Sequence, residues 1–145
     1  MLWIHPAIQL LAMFFAFHAL RLGWKRFCTA HLGQKCVFPW KEHVQWGQLA
    51  EGFWLGGLAL GLWAAHWTWR GFGITGAHFW IGLAMGALIV VSFASGTVMN
   101  RIKKRRRLLP LVHACAGFAL AALALAELVT GILVLGGPVL GLPLF

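Results

Sequence analysis

His113-Ala114-Cys115-Ala116-Gly117 opens an apolar run that extends from Leu108 to Leu135. The same pattern, a histidine and then a glycine four residues on, opens two further apolar runs as His43-Val44-Gln45-Trp46-Gly47 and His78-Phe79-Trp80-Ile81-Gly82. A fourth run opens with His5-Pro6, and Gln9 stands where the others carry glycine. About 20 apolar residues suffice to cross a hydrocarbon core as a helix. Ionisable residues inside such spans are costly, so a recurring one points to function. The runs predict one four-helix transmembrane domain over residues 1–145, with spans at about 3–22, 39–67, 76–98 and 108–135. The expected fold is an all-α membrane protein, a four-span antiparallel helix bundle.

Composition agrees with a bilayer as solvent. Of 145 residues, 61% are hydrophobic and 10% charged, and the mean hydropathy is +0.80. A soluble core of this size could not hide that much apolar surface. The chain has no aspartate; Glu42, Glu51 and Glu127 are its acids. Nine tryptophans and no tyrosine make Trp the polar-tipped aromatic for the interfaces. The formal charge of +9 does not indicate nucleic acid, because the strongest basic run, Arg101 to Arg107, is wedged between two apolar spans. No nucleic-acid partner is expected.

Cations set the orientation. The loop between spans 1 and 2 carries Arg21, Lys25, Arg26, Lys35 and Lys41; the loop between spans 3 and 4 carries Arg101, Lys103, Lys104, Arg105, Arg106 and Arg107. The loop between spans 2 and 3 has only Arg70. By the positive-inside rule both termini face the outer side, and the two basic loops face the cytoplasm. The expected location is a bacterial inner membrane, multi-pass, with both termini periplasmic. Met1-Leu2-Trp3-Ile4-His5 lacks the basic region of a cleavable signal peptide, and none is expected.

Topology then sorts the histidines by depth. His5 and His78 open the spans that enter from outside, and His43 and His113 open those that enter from the cytoplasm. Steps of three and four residues stay on one helix face. The stripe from His5 runs Gln9, Ala12, Ala16, Ala19, Gly23; that from His43 runs Gly47, Ala50, Trp54, Gly57, Gly61. The stripe from His78 runs Gly82, Met85, Ile89, Ser92, Gly96; that from His113 runs Gly117, Leu120, Ala124, Glu127, Gly131. Small residues alone signal close helix packing, but packing does not explain a histidine at the head of every stripe. Two axial imidazoles complement a six-coordinate b-type haem. The expected iron ligands are therefore His5 with His78 and His43 with His113, with Gly47, Gly82 and Gly117 leaving room for the porphyrin. Arg70 is the outer-side loop cation available to haem propionates. Two haem b groups are expected, roughly 20 Å apart across a ~30 Å core. Covalent c-type attachment is excluded, since no Cys-x-x-Cys-His occurs.

Other residues carry open alternatives. His18 is 13 residues from His5, off its stripe on a straight helix, and becomes a ligand only if the helix bends. His66 sits among Trp63, Trp67 and Trp69, where an anchoring histidine is ordinary. Cys28, His31 and Cys36 share a loop and could bind zinc with a fourth ligand; the plainer reading is reduced cytoplasmic thiols. Glu127 and Glu51 lie inside the spans. Each is either a hydrogen-bonded structural carboxyl or a proton acceptor for a quinone, and Glu127, level with the outer haem layer, could instead accept a hydrogen bond from a haem ligand.

His5-Pro6, Lys41-Glu42-His43 with Gly47, Gly76-Ala77-His78 with Gly82, and Arg107 to His113 with Val129-Thr130-Gly131 occur in that order. Together they resemble a family of small four-helix di-haem membrane cytochromes, similar in style to cytochrome b-561 and the ferric-reductase transmembrane domains. The resemblance spans nearly the whole chain. It implies non-covalent haem b held by His5, His43, His78 and His113, and electron transfer across or within the membrane rather than bond-making catalysis. Expected partners are membrane lipid and a redox protein or quinone. Two alternatives remain: an accessory or anchor subunit of a larger membrane redox or photosynthetic complex, and a quinone-reactive cytochrome b subunit.

Overall fold

The computed structural model describes residues 3–141, apart from the side chain of His31. The protein is all-helical, with no strand among the described residues. Its helices are α1 (Ile4–His31), α2 (Trp40–Trp69), α3 (Ala77–Arg101) and α4 (Leu108–Val134), and a single π-helical turn, Leu135–Val139, prolongs α4. Three prolines sit where an α-helix tolerates them, and Pro138 lies inside the π-helical turn. Pro39 caps α2, while Pro6 and Pro110 fall in the first turns of α1 and α4, where an N–H has no intrahelical partner to lose. The α2–α3 turn is made by Gly73 and Gly76, with φ of 78° and 58°, and closed by Gly76 N–H on the Gly73 carbonyl at 3.0 Å.

Three helices are long and apolar enough to cross a membrane: α1, α3 and α4. The sequence predicted four such spans. The shortfall is α2, whose first half carries Lys41, Glu42, Gln45, Gln48 and Glu51 and whose later turns are rich in Gly and Trp. A second difference lies in α1, expected to end near Leu22 but helical to His31. Gly23 is no stop signal by itself, since a glycine costs a helix only about 1 kcal/mol. It is also held in place, because a Cβ there would lie 3.1 Å from the His43 ring. The helix ends at Leu32, whose N–H bonds the Cys28 carbonyl, and Gly33 (φ 64°) turns the chain away. Cys28 and His31 therefore belong to the last turns of α1 rather than to a loop.

α1 packs chiefly on α2 and α3 chiefly on α4, with lighter contacts of α2 on α3 and of α1 on α4. α1 and α3, like α2 and α4, make no close backbone approach among the described residues, so each pair faces across the interior. That interior is built from the four histidine-headed stripes. Ala12, Trp54, Met85, Ile89, Leu120 and Ala124 form one buried cluster, with Ala16 packed against it. Ala12, Trp54, Met85 and Ala124 each stand seven residues from an end of their stripe, so they share one level, where a large side chain on α2 or α3 meets alanine on α4 or α1. Outward-facing apolar residues such as Phe14, Val90 and Ile132 are each 60% exposed or more, a surface suited to lipid.

Candidate functional site

Each stripe-heading histidine reaches from the start of its helix to the second half of the neighbouring one. His5 Nδ1 lies 2.7 Å from the Gly57 carbonyl on α2, and His43 Nδ1 lies 2.9 Å from the Ala19 carbonyl on α1. His113 Nδ1 lies 3.1 Å from the Ser92 carbonyl on α3 and 3.1 Å from Ser95 Oγ. His78 Nδ1 lies 2.6 Å from Glu127 Oε2 and 3.2 Å from Thr130 Oγ1, both on α4. A carbonyl only accepts, so Nδ1 carries the proton in His5, His43 and His113. The Ser95 and Thr130 hydroxyls spend their own hydrogens on backbone carbonyls, at 2.7 and 3.0 Å, and are left to accept from the imidazoles. With Nδ1 protonated, Nε2 holds a free lone pair, and no Nε2 of the four forms a hydrogen bond among the described residues.

The rings are also cradled. A Cβ placed on Gly61 would lie 2.8 Å from His5 Cε1, and one on Gly23 or Gly96 would lie 3.1 Å from the Cε1 of His43 or His113. One on Gly131 would lie 3.3 Å from His78 Cε1. Each glycine follows the histidine of its own helix by 18 residues: 5 to 23, 43 to 61, 78 to 96, 113 to 131. Eighteen residues are five full turns, about 27 Å, on one face. The hydrogen-bonding residue, Ala19, Gly57, Ser92 or Glu127, stands one turn before that glycine. These four cradle glycines were visible on the stripes; their common 18-residue interval is the signal that the sequence reading did not use.

Across the interior the histidines pair as the depth argument expects. His5 and His78 have ring centroids 6.0 Å apart with planes at 90°, and His43 and His113 have centroids 6.0 Å apart with planes at 83°. The pairs lie at opposite ends of the helices. On α2, the level of Gly57 and that of His43 are 14 residues apart, about 21 Å.

The remaining predicted residues are placed differently. A Cβ on Gly47 or Gly117, one turn from the second pair, would meet nothing within 4 Å, whereas at Gly82 it would meet Leu58 at 3.6 Å and Glu127 Oε1 at 3.9 Å. Arg70 adopts a left-handed conformation at the end of α2 (φ 54°) and lays its guanidinium 5.8 Å from the Trp67 ring centroid. Half-buried Glu51 on α2 faces the Ser92 hydroxyl on α3. Glu127 Oε1 and Gln9 Oε1 are buried without a hydrogen-bond partner among the described residues. His18 rests on Trp46 at 5.0 Å and His66 stacks on Phe72 at 5.2 Å; neither joins a histidine pair. No group of three or more His, Cys, Asp or Glu able to hold a metal ion occurs among the described residues. Cys28, Cys36 and Cys115 are free thiols. Phe38, just before α2, packs on the His43 ring at 5.4 Å. The Lys103 ammonium sits 4.0 Å from the Trp40 ring centroid, joining the α3–α4 loop to the start of α2.

Comparison with protein-family models, with curated proteins and with solved structures finds no match.

Proposed function

We propose that this chain is a b-type membrane cytochrome, a four-span antiparallel bundle that moves single electrons between two haem b groups. The outer haem would be held by His5 and His78, and the inner by His43 and His113. The observation that carries the proposal is the repeated geometry of the two pairs. An imidazole nitrogen binds a first-row metal at about 2 Å. It lies about 1 Å from its ring centroid, so two axial imidazoles place their centroids about 6 Å apart. Both pairs measure 6.0 Å. Histidine ligands in metal sites commonly donate their other N–H to a carbonyl or carboxylate, which fixes ring and tautomer. All four do so here.

A porphyrin supplies the equatorial nitrogens and asks the protein for two ligands, and each pair offers two imidazoles. The open space beside Gly47 and Gly117 would take the face of the inner porphyrin. α2 serves as the fourth span. Its 30 residues extend about 45 Å, well beyond a ~30 Å core, and its polar first half lies at the basic, cytoplasmic end.

Haem would supply the one-electron iron couple; the chain supplies orientation, burial and field. His5, His43, His78 and His113 present Nε2 in the neutral tautomer. Gly23, Gly61, Gly96 and Gly131 let the helices close on those rings. Ala12, Trp54, Met85 and Ala124 keep water out of the space between the layers. The cytoplasmic cations would draw an anionic redox partner or anionic lipid to the inner site. Both termini would face the periplasm of a bacterial inner membrane.

The test is a pyridine haemochrome assay with a protein determination on the purified, monodisperse chain. Two b-type haems per chain are expected. Folded protein expressed with ample haem that carries none would end the proposal, and one haem per chain would favour an accessory subunit.

A further inference from the structure

Three of the four histidines donate Nδ1–H to the backbone carbonyl one turn before the cradle glycine: Gly57 for His5, Ala19 for His43 and Ser92 for His113. The fourth breaks the rule. The corresponding residue on α4 is Glu127, and there the side chain takes over, with Oε2 2.6 Å from His78 Nδ1. The Glu127 carbonyl takes the Thr130 hydroxyl at 3.3 Å, just as the Ser92 carbonyl takes the Ser95 hydroxyl at 3.0 Å while still accepting from His113, so it is the carboxyl and not a lost carbonyl that sets His78 apart. The second carboxyl oxygen, Oε1, is buried and has no hydrogen-bond partner among the described residues, so the polar influence of Glu127 is directed at His78. The neighbourhood makes room for it. Residue 82 on α3, level with Glu127, is a glycine, and an added Cβ would already be within 3.9 Å of Oε1. In the other half of the molecule the same level holds Gln9 over Gly57, and there the histidine keeps its carbonyl.

We infer that Glu127 is a positioning residue that makes the two haem sites unequal, acting through His78 to hold the outer haem at a lower potential than its backbone-bonded counterparts would. The inference rests on the di-haem reading. A carboxylate accepts a hydrogen bond more strongly than a neutral carbonyl. It raises the basicity of the ligating imidazole, and a more basic ligand favours ferric over ferrous iron. Among the described residues the inner pair is bonded by no carboxyl: His113 is bonded by a carbonyl and a hydroxyl, and His43 by a carbonyl. The cations of the last turns of α1, the start of α2 and the α3–α4 loop, which lie at the His43–His113 end, act in the same sense by favouring the added electron on the inner iron.

Glu127→Gln keeps the shape and the hydrogen-bond oxygen and removes the charge. Optical redox titration at one pH should show two haems in both proteins. One midpoint potential should rise in the variant by the equivalent of about a tenfold change in equilibrium, about 59 mV for one electron, and the other should stay in place. Repeating the pair of titrations in a His113→Ala background, which keeps only the outer ligands, should move the single remaining component by the same amount. Equal potentials in wild type and Glu127→Gln, or equal shifts of both components, would overturn the inference while leaving the di-haem reading intact. Loss of the outer haem in Glu127→Gln would also overturn it, by making the carboxylate a retention device. A wild type without haem would instead remove the reading beneath it.

Discussion

Replacing Gly61 by alanine should empty the outer site while sparing the inner one. The added Cβ would lie 2.8 Å from His5 Cε1 and 2.9 Å from Nδ1, closer than carbon atoms pack. The imidazole is rigid, and it is pinned by its 2.7 Å bond to the Gly57 carbonyl, so it must swing away or push α1 off α2. Pushing the helices apart is an overpacking cost of about 1–3 kcal/mol. Swinging the ring away leaves a buried donor or carbonyl unpaired, at about 1–3 kcal/mol. Either route alone, at about 1–3 kcal/mol, corresponds to a roughly 5- to 160-fold weaker outer site. The assay is haem stoichiometry with the reduced spectrum, run beside thermal unfolding in detergent. Gly47→Ala and Gly117→Ala provide the contrast. Their Cβ atoms meet no protein atom within 4 Å, so the haem-free fold should tolerate them, and only a porphyrin lying against those faces would register the change. Gly61→Ala protein that keeps two haems with unaltered spectra would refute the cradle argument.

Further outcomes follow from the same geometry. His43→Ala and His113→Ala should each remove the inner haem and spare the outer, whereas His18→Ala and His66→Ala, whose rings pack on Trp46 and Phe72, should leave both; haem loss from His18→Ala would move a ligand on α1. Ser95→Ala should cost the inner site about 1 kcal/mol or less, because the Ser92 carbonyl still accepts from His113; complete loss of the inner haem would show that the hydroxyl is the principal partner. Cysteine labelling on sealed cells should find residues 103–107 inside and the 72–75 turn outside, and the reverse would exchange the inner and outer assignments.

The helical class, the helix starts and the residues of the interior were legible in the sequence because each rests on a local rule. Apolar runs punctuated by Pro39, Gly73 and Gly76 mark the helices. The 3.6-residue period marks the face, and Ala12, Trp54, Met85, Ile89, Leu120 and Ala124 all lie on histidine-headed stripes. The closeness of His5 to His78 and of His43 to His113 was legible as depth, since each histidine heads its helix and successive helices start at alternate ends. The end of α1 was not. Gly23 looks like punctuation in one dimension, and only its contact with His43 on another helix explains why the helix runs through it. The placement of Arg70 was equally hidden, because an unusual backbone conformation next to Trp67 leaves no mark in composition.

What organises the site is a repeat that residue identity barely shows. A shift of 73 carries His5, Ala19 and Gly23 of α1 onto His78, Ser92 and Gly96 of α3, and a shift of 70 carries His43, Gly57 and Gly61 of α2 onto His113, Glu127 and Gly131 of α4. The two shifts differ by three because the α1–α2 connection is the longer one. Between the fixed points the halves diverge: Ala12 corresponds to Met85 and Trp54 to Ala124. The conserved interval is thus geometric. A histidine must see an acceptor 14 residues and a glycine 18 residues along the neighbouring stripe, and any side chains that fill the level between may trade volume across the interior. Within that constraint only one of the four acceptor positions offers a carboxyl side chain to its histidine, and it is the position beside His78. A molecule built from two nearly equivalent halves would place both histidine pairs in the same field; Glu127 at one end, and the basic loops at the other, are what distinguish them.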